Sequence, residues 1–271
     1  MAAKLGIIAG GGEFPGLVIA ACRAQGRPFH VIALEGHADP KVVGDAPAEW
    51  IRLGQAGRGV DVLRAQGCSE LVMIGPVRRP GLRELTPDLW SARFLAKVGF
   101  KALGDDGILR ALAGALAEEG FRIVGIDTIL ADCLAPAGTY GRLEPDSQAL
   151  ADIERGREVA KALGALDVGQ AVVVQQGLVL GVEAIEGTDR LLARCGDLRR
   201  EGPGGVLVKV RKPDQDRRLD LPTIGLATVR NAAAAGLRGI AVEAGGALVL
   251  GREAVAAEAD DLGLFVVGTA C

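Results

Sequence analysis

Apolar residues fall in short blocks through the first half of the chain, with helix-period stretches between them. KLGIIAG (4–10), FHVIALEG (29–36), EWIRLG (49–54), ELVMIG (70–75) and FRIVGID (121–127) have the length and β-branched content of buried strands. LVIAACRAQG (17–26), GVDVLRAQG (59–67), LWSARFLAKVG (89–99) and GILRALAGALAEEG (107–120) read as helices that stop at glycine, the residue that most readily takes the left-handed conformation beyond a helix end. Strands alternating with helices predict a parallel, doubly wound, Rossmann-like sheet.

The second half has a different rhythm. A long helix over 147–169 precedes AVVVQQGLVLGVEAI (171–185), which reads as a hairpin. Then come a helix at 190–200, a strand VLVKV (206–210), a helix at 226–236, strands GIAVEAG (239–245) and ALVLG (247–251), a helix at 252–261 and a strand LFVVG (264–268). Adjacent short strands predict an α/β domain with a mixed sheet. LAPAGTYGRLEPDS (134–147) is rich in Pro, Gly and polar residues. The expected organisation is therefore an N-terminal domain over 1–134, a linker over 135–147 and a C-terminal domain over 148–271.

Composition narrows the function. The chain has 271 residues, of which 49% are hydrophobic, enough for two cores. A net charge of −3 and 3% aromatic residues give neither the basic field nor the stacking platforms of a nucleic-acid binder. Five widely spaced cysteines without a CxxC, and two histidines, argue for reduced thiols and against a zinc site. The apolar start is too brief for a signal peptide, and no run reaches the ~18 residues of a membrane span. The expectation is a cytoplasmic protein, any membrane contact of which is peripheral.

Five stretches carry candidate chemistry. In AGGGEFPG (9–16), Gly11, Gly12, Glu13, Phe14 and Pro15 form a strand-to-helix loop whose backbone N–H groups suit an anion, although a plain tight turn reads from the same residues. Its spacing is not GxGxxG, because Pro15 stands where the last glycine would fall; Glu35, at the end of the next strand, keeps a ribose-binding alternative open. In MIGPVRRPG (73–81), Gly75, Pro76, Val77, Arg78 and Arg79 follow a strand's carboxyl end, where open α/β sheets bind ligands and guanidinium forks suit phosphate. Asp105 and Asp106 open a helix, as caps or as oxygen ligands for Mg²⁺. GVEAIEGTDR (181–190) places Glu183, Glu186, Thr188 and Asp189 between a strand and a helix, with more carboxylates than capping requires.

The fifth stretch, VLVKVRKPDQDRRLDLPTIG (206–225), crowds five basic and three acidic residues between a strand and a helix. Lys209 and Lys212 suit phosphate oxygens; Asp220, flanked by leucines, needs a partner or a metal. A charged loop with internal ion pairs is the bland alternative. His30, in a strand pattern, and His37, after a turn, are poor catalytic candidates.

Together IAGGGEFP, MIGPVRRP, LGDDGILR, VEAIEGTD and KPDQDRRLDLPTIG resemble, in order and over nearly the whole chain, the LpxI-type UDP-2,3-diacylglucosamine pyrophosphatases of lipid A biosynthesis. The resemblance implies two domains with the lipid product held between them. It implies Mg²⁺-dependent hydrolysis at the inner membrane, with Mn²⁺ as substitute, giving UMP and 2,3-diacylglucosamine 1-phosphate. Asp220 matches the aspartate of the family's D-x-P-T-I-G motif. With Asp220, the carboxylate clusters above give an expected catalytic set of Asp220, Glu183 and Glu186 and expected metal ligands Asp220, Asp105 and Asp106. Substrate contacts are expected from the glycine and arginine loops above, Gln175, Thr188, Asp189, Lys209, Lys212, Gln215, Thr223, Ile224 and Gly225. The competing classes are an NAD(P)- or nucleotide-sugar-dependent oxidoreductase, read from the glycine loop and Glu35, and a non-catalytic nucleotide-lipid binding module.

Overall fold

A computed structural model describes residues 2–78, 86–98, 105–213, 216–219 and 221–270, with the side chains of Asp105 and Asp106 outside the description. The chain divides into two units, Met1–Ala131 with Asp216–Asp220, and Asp132–Gln215 with Leu221–Cys271.

In the first unit the predicted alternation is present as β1 (Leu5–Ala9), α1 (Phe14–Ala24), β2 (Phe29–Leu34), α2 (Pro40–Val43), β3 (Ala48–Ile51), α3 (Ala56–Ala65), β4 (Glu70–Ile74), α4 (Leu89–Val98), α5 (Asp105–Glu118) and β5 (Arg122–Ile123). All pairings are parallel, in the order β3-β2-β1-β4-β5. Leu5, Ile7, Val31, Leu71 and Val72 are fully buried, as expected of strands covered on both faces. The order reverses between β1 and β4, so the loops after these two strands flank the switch point of the sheet. α1 starts at Phe14, earlier than the pattern predicts, because Pro15 occupies the first turn, where its missing N–H costs nothing. Leu219, from the charged loop of the second half, is buried in this unit's core with Leu71, Phe121 and Ile123.

The second unit contains β6 (Gly138–Thr139), α6 (Ser147–Ala165), β7 (Ala171–Gln175), β8 (Leu178–Val182), α7 (Gly187–Gly196), β9 (Val206–Lys209), β10 (Thr223–Ile224), α8 (Leu226–Ala234), β11 (Gly239–Glu243), β12 (Leu248–Val249), α9 (Arg252–Asp261) and β13 (Phe265–Thr269). Its main sheet has the order β6-β13-β11-β9-β7-β8. β9, β11 and β13 run parallel, while β7, β8 and β6 add antiparallel pairs, which is the mixed sheet the pattern predicts. β10 and β12 form a separate parallel pair. One face of the main sheet packs residues of α7, α8 and α9; the other packs α6. Gly156 lets α6 approach closely, since a Cβ there would lie 2.5 Å from Val208 Cγ2.

The stretch read as a linker takes part in this unit: Ala135 is in its core, and Gly138–Thr139 pair with β13. Tyr140 Oη donates to Pro136 O at 2.9 Å. At the β7–β8 turn, Gln176 and Gly177 both have positive φ (54° and 77°), the signature of a two-residue hairpin whose twist matches its strands. Asp152, 2% exposed on α6, holds that turn: its carboxylate accepts from Gln176 N at 3.0 Å and from Gly177 N at 2.7 Å.

Replacing this carboxylate strands two N–H groups. Asp152→Ala is expected to lower unfolding free energy by about 3 kcal/mol in urea melts, because bonds to an ionised acceptor are worth ~1.5–3 kcal/mol each and do not add fully. Burial pushes the Tyr140 phenol from 10 up to about 12. The unfolded phenol then loses its proton first as pH rises, so this contribution is complete below pH 10 and is lost between about 10 and 12. Tyr140→Phe should flatten the alkaline fall of Tm over that interval; an unchanged slope would remove the assignment.

Candidate functional site

In the first unit, three loops meet at the carboxyl end of the sheet. Gly10 N donates to Ile74 O at 2.8 Å and Gly11 N to Pro76 O at 2.9 Å, so the loops after β1 and β4 are hydrogen-bonded to each other. A Cβ on Gly10 would lie 2.5 Å from Gly75 O, and Gly75 itself has φ +93°. These glycines permit close nesting of two backbones. His37 adds the loop after β2: its Nδ1 faces Glu35 O at 3.1 Å and its Nε2 faces Arg78 O at 3.2 Å. The sequence reading passed over this bridging role.

The expectation that the whole glycine loop offers its backbone to an anion needs correction here. Gly11 has already donated its N–H to Pro76, and Pro15 is buried. Gly12, with φ +73°, and Glu13 are exposed, and Phe14 is partly so. Val77 and Arg78 are exposed at the same end of the sheet. The Glu35 carboxylate accepts from Arg52 Nε at 3.0 Å, so the group considered for a ribose is ion-paired.

The first unit also holds a cavity of about 520 Å³ between α5, β5 and residues 216–218. Arg110, Arg122 and Arg218 line it above Ala113, Gly114, Ala117, Phe121 and Ile123. Asp216 faces it too, and Arg218, bonding through Nε and Nη2, holds the Asp216 carboxyl below its ordinary range. Part of the charge in the 206–225 stretch is thus spent on a local ion pair, as its bland alternative predicts. Arg110 and Arg122 carry no sequence signal; the fold alone brings them to this segment.

The second unit gathers a buried polar relay. Lys209, at the end of β9, is 6% exposed, and its Nζ donates to Thr188 Oγ1 at 3.0 Å and to Thr223 O at 2.9 Å. Thr188 Oγ1, in the first turn of α7, donates to Glu183 Oε1 at 2.6 Å. Glu183, 8% exposed, accepts from Gln170 N at 3.1 Å through its other oxygen. Carboxylate, hydroxyl, ammonium and carbonyl therefore form one chain drawn from four segments. A hydroxyl between opposite charges accepts from one and donates to the other, so neither is buried without a polar partner.

The neighbouring carboxylates do not join it. Glu186 accepts from Ala184 N at 3.1 Å and from Arg194 at 2.8 Å; its own backbone N–H and the Arg194 guanidinium hold its carboxyl below the usual range. Asp189 is exposed and accepts from Asn231 Nδ2 at 2.9 Å, tying α7 to α8. Among the described residues no group of three or more His, Cys, Asp or Glu is placed to hold a metal ion. Glu183, Glu186 and Asp189 therefore do not fit a shared Mg²⁺ site.

Other expected contacts are committed to structure. Gln175, fully buried, donates to Arg200 O and Pro203 O and accepts from Arg200 N, so its amide secures the loop before β9. Ile224, also fully buried, pairs with Val249 in the core. Lys212 is ion-paired with Asp167. Gly225 caps α8, and its N–H faces Thr228 Oγ1 at 3.4 Å. Arg79, Gln215 and Asp220, and the side chains of Asp105 and Asp106, lie outside the described residues.

Thr188→Val keeps the shape of the relay and removes its hydroxyl. It should destabilise the protein by about 1–3 kcal/mol in denaturant melts, through two buried charges left short of a partner, and Thr188→Ser should restore most of the loss. Equal stability of the valine variant would show that the relay is not coupled.

Known proteins were compared with this chain. Sequence models of the LpxI N-terminal domain and the LpxI C-terminal domain match residues 4–133 and 136–267. A protein of Caulobacter vibrioides, UDP-2,3-diacylglucosamine pyrophosphatase LpxI, is 44% identical over 98% of this chain and 97% of its own length. Among solved structures, gox2253 aligns over 97% of this chain and 76% of its own at 12% identity and a TM-score of 0.31. The biotin carboxylase subunit of pyruvate carboxylase aligns over 64% and 35% at 16% identity and 0.27. Neither of these two likenesses carries a functional argument. Two domain matches in order and a relative similar from end to end place this chain in the LpxI family.

Proposed function

We propose that this protein hydrolyses the pyrophosphate of UDP-2,3-diacylglucosamine to UMP and 2,3-diacylglucosamine 1-phosphate in lipid A biosynthesis. The observation that carries the reading is 44% identity, over 98% of the chain, to a pyrophosphatase of that substrate. In this reaction water adds to one phosphorus, the bridging P–O bond on that phosphorus breaks, and the water's proton leaves. The work required of the protein is to hold a strongly anionic group and to orient water toward it.

The residues support this division of labour. Lys209 is a cation held rigidly by Thr188 and the Thr223 carbonyl, and serves as a fixed positive charge beside the motif that contains Asp220. Glu183 acts in this reading through Thr188, keeping the ammonium oriented. It is a positioning residue, and Glu186 is ion-paired with Arg194. Asp220 is the candidate general base. A requirement for Mg²⁺, or Mn²⁺ in its place, rests on Asp220, Asp105 and Asp106, not on the described carboxylates; such an ion supplies charge compensation to a pyrophosphate. The setting proposed is cytoplasmic, at the membrane that holds a lipid-linked substrate; among the described residues no helix is long and apolar enough to cross it.

Release of UMP from UDP-2,3-diacylglucosamine tests the reading. Excess EDTA should abolish turnover and Mg²⁺ restore it; full rate in metal-free buffer would remove the metal requirement. Asp220→Ala should fold normally and lose about 10²–10⁴ in kcat, the usual worth of a positioned acid or base. If it keeps more than roughly a tenth of kcat, Asp220 is not the base.

A further inference from the structure

Beside the relay, two large apolar side chains stand mostly free of the protein and a third is partly so. Ile185 is 96% exposed, Leu166 74% and Val168 44%. They lie on two loops joined edge to edge: Glu183 N donates to Ala171 O at 2.8 Å, Gln170 N donates to Glu183 Oε2 at 3.1 Å, and Gly169 leaves no room for a Cβ against the Glu183 carbonyl. Between Leu166 and Val168, Asp167 takes a left-handed conformation (φ 54°) and is drawn into an ion pair with Lys212. Its neighbours are left facing solvent. The folded state gains nothing from apolar groups kept in water, so this corner is a candidate contact surface.

We infer that this corner, through Leu166, Val168 and Ile185, inserts into the surface of a lipid bilayer. The choice of lipid rests on the proposed diacylated substrate, whose acyl chains need a phase to sit in. Three observations favour it. First, side chains this exposed are convex tips, suited to entering an interface, whereas a site for a single chain is concave. Second, three side chains fall well short of the roughly 800 Å² per partner that a stable dimer buries. Third, two carboxylates at this corner are ion-paired, Asp167 with Lys212 and Glu186 with Arg194, and the exposed Asp189, bonded to the neutral Asn231 amide, is followed in the chain by the exposed Arg190, which offsets its charge. The named charges of the corner therefore sum to zero and offer anionic headgroups little net repulsion. The patch adjoins Glu183, so insertion would hold the relay near the membrane surface.

The test is co-sedimentation of the full chain with vesicles of phosphatidylcholine and phosphatidylglycerol. The wild type should partition onto them. The double variant Leu166→Asp, Ile185→Asp should lower the partition coefficient at least about tenfold, since each change removes an inserted aliphatic chain and adds a charge. Leu262→Asp, at an exposed leucine elsewhere in the same unit (45%), should leave it unchanged. The double variant should keep its Tm and its rate of UMP release from detergent-dispersed substrate. Equal partition of wild type and double variant overturns the inference, as does a wild-type dimer that the double variant dissolves in sedimentation velocity. A wild type that binds vesicles through these residues yet releases no UMP defeats the catalytic reading and leaves this one standing.

Discussion

A lysine ammonium 6% exposed at the end of a strand sets the terms for the second unit. An unanswered charge in that place would cost several kcal/mol, more than most single contacts in a protein supply. Lys209 is answered by Thr188 and by the Thr223 carbonyl, and Thr188 passes the interaction to Glu183. Holding these groups requires α7 to start where it does, β10 to run beside β9's end, and the loop before β7 to offer Gln170 N to Glu183. The registers of β7 on β8 and on β9 follow the same need, because Ala171 stands opposite Lys209 and accepts the Glu183 N–H.

The first unit is organised by close approach instead of charge. Loops after β1 and β4 share backbone hydrogen bonds at a distance that admits no Cβ on Gly10 or Gly75. His37 joins a third loop to the pair through the Arg78 carbonyl, its other ring nitrogen facing Glu35 O of its own loop. A crevice at the reversal of strand order arises in any sheet of this topology. What is particular here is that the glycines are spent mainly on nesting, with Gly12 and Glu13 left at the surface.

The charged stretch 206–225 serves more than one purpose. Lys209 belongs to the buried relay, Lys212 answers Asp167, and Arg218 answers Asp216 beside the arginine-lined cavity. Arg211 N donates to the Glu243 carboxylate at 2.8 Å, joining the end of β9 to the end of β11. A run of mixed charge in one loop is here a set of attachments to different elements. Leu219, within the same stretch, is a core residue of the first unit.

The alternation of apolar blocks with helix-period segments by itself determined the longer strands and helices, the parallel first sheet and the mixed second one. Each of those depends on local periodicity and on burial of one or both faces, which neighbouring residues in the chain encode. Motif order likewise determined the family. Only the tertiary structure decided which charges meet. Gln170, Glu183, Thr188, Lys209 and Thr223 are scattered over more than fifty positions, and nothing local distinguishes a glutamate that accepts from Thr188 from Glu186, three residues on, which accepts from Arg194. Gln175 and Ile224 sit in motifs that read as substrate contacts, yet their burial is set by strands packed around them. The short strands β6 and β10 escaped notice because two residues carry no period; they exist only where β13 and β12 present an open edge. Periodicity reports how a segment faces its own neighbourhood, whereas partner choice across tens of residues is decided when the sheet closes and each buried polar group must find a donor or acceptor within reach.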